Sequence, residues 1–139
     1  MLATPLLIAA LALTPGQIFT GLTGACWQTD DMPNESTDTH CFTASDGGQL
    51  VMDVHKVRNG NGQVIYEGVT LYRTETGAVT YSYYNSQGDL LPGSAGRADD
   101  TITFAPDLTW RLSSDAYDVV MPNGTRHFRK LGPAGEGGL

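Results

Sequence analysis

The 139-residue chain reads as an all-β protein, an antiparallel up-and-down meander of eight to nine strands closed into a barrel. Three observations predict this. From Thr20 onward apolar and polar residues alternate, with no helical period. Turn chemistry recurs at short intervals, in Ser45-Asp46-Gly47-Gly48, Asn59-Gly60-Asn61-Gly62, Glu75-Thr76-Gly77 and Pro122-Asn123-Gly124. Asn-Gly and Asp-Gly steps favour the positive φ that tight hairpins need. Every clear connection is short, so sequence neighbours should pair antiparallel. A flat sheet of that many strands would leave two long edges, which closure removes.

The elements follow in order. Met1–Leu13 carries no charged side chain, and its apolar run is shorter than the roughly 20 residues a bilayer span needs. Ala10-Leu11-Ala12 is an acceptable small-x-small cleavage site, so residues 1–12 read as a secretory signal peptide. The alternative is a buried N-terminal helix. Residues 13–20 read as a flexible segment before a barrel domain of residues 21–131. The predicted strands are Leu22–Thr29, Thr37–Ala44, Gln49–Arg58, Val64–Thr74, Ala78–Ser86, Thr101–Ala105, Thr109–Leu112, Tyr117–Met121 and Thr125–Leu131. Gly88–Asp100 breaks the pattern and reads as a lid, an irregular edge or a very short strand. Residues 132–139 read as a disordered tail.

A formal net charge of −7 and a pI near 4.6 argue against nucleic acid and anionic membrane surfaces, which need a basic footprint. No membrane span is expected once the signal is cleaved. A cleaved chain works outside the cytosol, in the periplasm or secreted, where Cys26 and Cys41 can be oxidised. If these two cysteines face each other across the first hairpin, Trp27 lies opposite His40 on the other face, shared with Ala25, Phe42 and Ala44. That apolar face should point inward, which places His40 inside against Trp27.

The same parity argument extends along the meander. On the third strand Leu50, Met52 and Val54 form the apolar set and are predicted internal, with Asp53 and His55 outside. A two-residue turn at Asn59-Gly60 or Asn61-Gly62 carries that face to Ile65, Glu67, Val69 and Leu71. A three-residue turn Glu75-Thr76-Gly77 carries it on to Val79, Tyr81, Tyr83 and Asn85. An odd bulge in either hairpin would reverse these assignments. The predicted interior holds His40, Glu67, Tyr81, Tyr83 and Asn85 among apolar walls. Such groups need partners when buried. They belong either to a wet cavity that binds a small ligand or to a filled core with an internal hydrogen-bond network.

Gly24-Ala25-Cys26-Trp27 resembles the Gly-x-x-Trp opening of the lipocalin-like (calycin) group. The Gly47-Gly48 turn before Gln49-Leu50-Val51-Met52, and the strand Val64–Arg73 with its Glu67, resemble small bacterial lipocalin-like domains of unknown function. The resemblance implies a lipocalin-like barrel and small-ligand binding, and it supplies no reaction. Haem-binding nitrobindin-like barrels share the architecture and use a late histidine, where His127 stands. Their Gly-x-Trp-x-Gly-x-Gly opening is absent, and Phe128 rather than His127 should face inward. Secreted metalloprotease inhibitors are also small barrels with one disulfide and a free N-terminal segment, here Leu13–Thr20.

No reaction-specific motif is present. The cysteines lack a Cys-x-x-Cys partner, and His40, His55 and His127 have no metal-ligand spacing, so no metal and no cofactor are expected. No catalytic residue is assigned. The sequence therefore reads as a monomeric, disulfide-stapled binding module. Trp27, His40, Glu67, Tyr81 and Tyr83 are expected to line a site for a small, partly apolar ligand. The second reading is a protein-interaction module with a filled barrel, acting through residues 13–20 or Gly88–Asp100. The third is an enzyme that pairs His40 with Glu67.

Overall fold

A computed structural model describes residues 12–133 of the chain. Ten antiparallel strands close into a barrel. They are β1 (Ala25–Thr29), β2 (Thr37–Ser45), β3 (Leu50–Arg58), β4 (Val64–Glu75), β5 (Ala78–Asn85), β6 (Leu90–Ala98), β7 (Thr101–Phe104), β8 (Leu108–Leu112), β9 (Ala116–Met121) and β10 (Gly124–Pro133). Each strand pairs with its sequence neighbours, and β1 closes the ring by pairing with β10. The strand beyond the expected eight or nine is β6, within Gly88–Asp100, the stretch expected to be a lid, an irregular edge or a very short strand; at nine residues it is a full strand. Pro92, Gly93 and Gly96 give it poor intrinsic β preference. Its neighbours impose the strand instead. Asn85 Oδ1 accepts from Gln87 N and Asp89 N and so closes the preceding turn. Pro92 sits in the half of β6 that β7 does not pair. A Cβ on Gly93 would collide with the Tyr81 ring.

The first hairpin has the register predicted from its cysteines, with Cys26 opposite Cys41, Trp27 opposite His40 and Ala25 opposite Phe42. A disulfide joins Cys26 to Cys41. Reducing it is expected to lower stability by about 2–4 kcal/mol, because the loop of 15 residues it closes becomes free in the unfolded chain. Urea titrations with and without reductant measure the difference.

The next hairpin overturns a prediction. Its register places Val51 against Ala44, Asp53 against Phe42 and His55 against His40. The inward residues of β3 are therefore Val51, Asp53 and His55, all buried, while Met52 is 37 % exposed. Polar side chains fill the interior here because they find one another, and the apolar set Leu50, Met52 and Val54 lies outside. The β3–β4 relation survives: Met52 still pairs with Leu71 and Val54 with Val69. Glu67, predicted internal, is carried outward with that set and is exposed. The β4–β5 turn has two residues, not three, since Glu75 pairs with Ala78 across Thr76-Gly77, both at positive φ. That second change of parity cancels the first. Val79, Tyr81 and Tyr83 face inward as predicted, while Asn85 is a turn residue opposite Gly68.

Residues 13–20, expected to be flexible, instead form the barrel's plug. A short helix, α1 (Pro15–Ile18), starts at a capping box in which Gln17 N donates to Thr14 Oγ1 and Thr14 N donates to Gln17 Oε1. It drives Ile18 and Phe19 into the barrel, and both are buried. The Phe19 ring lies 4.3 Å from Tyr72 and within 6.3 Å of Phe42, Phe104 and Trp110, centroid to centroid. Arg97 on β6 holds the end of the helix by donating from Nη1 to Ile18 O and Thr20 O. Gly132 and Pro133 belong to β10 and not to a tail. Residues 1–11 of the expected signal peptide and 134–139 of the expected tail lie outside the described residues. Among the described residues no helix is long and apolar enough to cross a membrane.

Candidate functional site

The parity of β2 and β3 brings four titratable side chains to one place inside the barrel. Thr29 Oγ1 accepts from Asp38 N and so fixes the start of β2. Asp38 Oδ2 then accepts from His40 Nε2 at 3.1 Å, and Asp38 Oδ1 accepts from His55 Nδ1 at 2.9 Å. His40 Nδ1 donates to Asp53 at 2.9 Å. His55 Nε2 accepts from Tyr83 Oη at 2.8 Å, and Tyr83 Oη accepts from Tyr66 Oη at 2.7 Å. The result is one continuous chain, Asp53–His40–Asp38–His55–Tyr83–Tyr66.

Both His40 nitrogens face carboxylates, so both must carry hydrogen, which makes the ring an imidazolium. Burial opposes that charge, but Asp53 and Asp38 outweigh it and raise the His40 pKa to about 10. Burial likewise works against the Asp38 carboxylate, yet His40 and His55 hold its pKa well below the usual carboxylate range. Burial, and then the Tyr66 hydroxyl, push Tyr83 far above an ordinary phenol. The His40 ring stacks on His55 at 4.5 Å and meets Phe128 edge-on at 5.2 Å.

Asp38, His40, His55 and Tyr83 of this network form one side of a cavity of about 430 Å³ in the barrel. Leu108, Val119, Met121 and Phe128 make its walls apolar, and Trp110, Tyr117 and Arg126 also line it. A second lobe of about 200 Å³ lies toward Tyr81, Leu91 and Phe104, and the two share His40, Tyr83, Leu108 and Trp110. Among the described residues two buried side-chain polar atoms have no hydrogen-bond partner, Trp110 Nε1 and Tyr117 Oη. Both residues line the larger lobe, and burial keeps Tyr117 a protonated phenol.

Of the expected site residues, His40 and Tyr83 line the larger lobe and Tyr81 lines the smaller. Trp27 is not at the cavity. It is fully buried, packs edge-on against Tyr117 and donates from Nε1 to Leu22 O at 3.1 Å. Glu67 lies on the outer face of β4 in a shallow groove with Val54, Lys56 and Tyr84. It does not meet His40, so that acid–base pair is not formed. His127 is exposed and bonded to Asp118, with Phe128 inward beside it. Sequence reasoning missed Asp38, Asp53, His55, Tyr66, Trp110, Tyr117 and Arg126 as site residues. The inward reading of Phe128 gave the same parity to Arg126, and the His40–His55 pairing follows from the four-residue loop after Ser45.

Gly68 was missed as well. It pairs with His55 on one side and Asn85 on the other. A Cβ there would lie 2.6 Å from Tyr83 Oη and 2.7 Å from His55 Nε2. Gly68→Ala is therefore expected to force the His55–Tyr83 bond apart and cost about 1–3 kcal/mol. Chemical denaturation measures the loss, and the shifted His55 ring resonances locate it.

Asp38, His40 and His55 each offer a donor atom within 4.8 Å of the others, the one such group among the described residues. Both Asp38 oxygens accept from His40 Nε2 and His55 Nδ1, and His40 Nδ1 donates to Asp53. A shared cation would have to displace the protons on His40 Nε2 and His55 Nδ1, since a ligating imidazole nitrogen must be free of hydrogen.

No protein-family model matches the chain, and no curated protein matches it in sequence.

Proposed function

We propose that this protein is a lipocalin-like binding module, working in the periplasm or outside the cell, that takes a small, partly apolar ligand in the barrel cavity. The observation that carries the reading is the cavity of about 430 Å³, which joins the apolar walls of Leu108, Val119, Met121 and Phe128 to a few polar side chains, two of which, Trp110 and Tyr117, have a buried polar atom without a hydrogen-bond partner. An unmet buried polar group costs about 1–3 kcal/mol, and a ligand acceptor removes that cost. Few convergent polar groups in a mainly apolar pocket are the usual make-up of a small-molecule site. The Cys26–Cys41 disulfide and the apolar leader support the compartment.

The test is titration with the neutral dye Nile red. The wild-type protein should give saturable, one-to-one fluorescence enhancement. Val119→Trp, which fills the cavity from the wall, should abolish it while circular dichroism stays unchanged. Equal, weak enhancement by both proteins would contradict the reading. A second reading, an interaction module, draws on Leu90 and Leu91 of β6, which are 57 % and 53 % exposed. It predicts that Leu90→Glu abolishes partner capture and leaves dye binding unchanged.

A further inference from the structure

We propose that the ligand is a small amphipathic organic acid, whose anionic group is held by Arg126, Trp110 Nε1 and Tyr117 Oη. The proposal deepens the reading above and rests on it.

The placement comes from strand register. Val119 pairs with Trp110 on β8 and with Arg126 on β10. Trp110 and Arg126 therefore flank Val119 on the inner face, and Tyr117 lies two residues along the same face of β9. All three residues line the larger lobe.

Their chemistry is one-sided. An indole N–H can only donate, and a guanidinium has five donors and no acceptor. Tyr117 keeps its proton. Two other arginines are engaged: Arg97 by the carbonyls of Ile18, Thr20 and Asp99, and Arg129 by Asp30 at 2.8 Å. Arg126 is half-buried and points into the barrel, and no hydrogen bond or ion pair holds it among the described residues. In a protein with 15 acidic residues against 8 basic ones, this cation lines the cavity without an ion pair, on the same wall as two residues whose polar atoms lack partners. A carboxylate or sulfonate satisfies all three groups, through charge-assisted hydrogen bonds that are the strong class. A cationic ligand would leave all three unpaired. Asp38 also lines the lobe, but its oxygens accept from His40 and His55, and His40 is shared between Asp38 and Asp53, so that side of the lobe already carries carboxylates. The acid group therefore belongs on the β8–β10 side, with the apolar body against Leu108, Met121 and Phe128.

The experiment titrates the native protein at neutral pH with decanoate, decanol and decylamine, by calorimetry and by the two indole N–H resonances. Decanoate should bind about tenfold or more tightly than decanol, the equivalent of one charge-assisted hydrogen bond, and decylamine should bind most weakly. The Trp110 indole signal, identified by its loss in Trp110→Phe, should shift on binding. The Trp27 signal should stay, because Leu22 O already holds that N–H. Arg126→Gln should bring decanoate down to the level of decanol, and Arg126→Lys should keep the preference. If decanol matches decanoate in the wild type, or if the preference survives Arg126→Gln, the assignment of an acid is overturned and the binding reading stands. If no probe binds, Nile red included, the binding reading falls with it.

Discussion

Replacing Asp53 by alanine is expected to destabilise the protein by about 3–5 kcal/mol, the largest effect of any polar substitution in the barrel. Asp53 is 2 % exposed and faces His40 Nδ1 at 2.9 Å. Its removal leaves a buried imidazolium with one carboxylate in place of two, and unpairing a buried charge has that order of cost. The argument depends on charge rather than volume, so a double replacement separates the two. His40→Leu combined with Asp53→Leu should cost clearly less than the sum of the single changes, because neither partner is then left unpaired. Urea unfolding of the four proteins completes the cycle. A loss below about 1 kcal/mol in Asp53→Ala, the range of an exposed pair, would show that His40 is not charged in the fold.

The same network sets how stability follows pH. The His40 pKa rises from 6.5 in the unfolded chain to about 10 in the fold. Its contribution is therefore complete below pH 6.5 and is lost as pH climbs toward 10. Asp38 is lowered from 3.8, so its contribution is complete above pH 3.8 and is lost as the solution becomes more acidic. Between these limits the network contributes fully. Outside them the loss is on the order of a few kcal/mol, since a tenfold change in proton affinity on folding is worth about 1.4 kcal/mol. Melting temperatures across the alkaline limb should fall steeply in the wild type and more gently in Asp53→Ala.

Phe19→Ala is expected to cost about 3–5 kcal/mol, as for other buried aromatic residues cut to alanine. Phe19 is fully buried among Phe42, Tyr72, Phe104 and Trp110, and the aromatic rings around it cannot close the gap it would leave. Thermal unfolding of the purified variant reads the effect. A melting curve superimposable on the wild type would mean that residues 13–20 are a free arm after all. Under that outcome the N-terminal segment returns as a contact surface for a partner.

How far the sequence reaches can be judged residue by residue. The first hairpin was legible because two cysteines, one tryptophan and one phenylalanine all demand the same register. The strand boundaries were legible because Asn, Asp and Gly mark the turns chemically. β3 misled because hydrophobicity decides a face only when the polar alternative has no partners. Asp53 and His55 have partners on β2, and the register that joins them is a property of the loop between, not of either strand. Tyr81 and Tyr83 came out inward although two steps of the parity argument failed, since an outward β3 and a two-residue turn compensate. β6 was invisible because Pro92, Gly93 and Gly96 disguise it, and Gly93 serves a neighbour: it makes room for the Tyr81 ring as Gly68 does for Tyr83. The cavity donors were out of reach of periodicity. That Trp110 and Tyr117 lack partners depends on everything that surrounds them.

The central claim is that the barrel holds a ligand, and native mass spectrometry of the protein purified from its own host without denaturation tests it most directly. The account predicts a chain two hydrogens lighter than its reduced mass, carrying one retained small molecule that Val119→Trp loses. The bare chain alone, still bare after incubation with mixed lipids and metabolites, would contradict it.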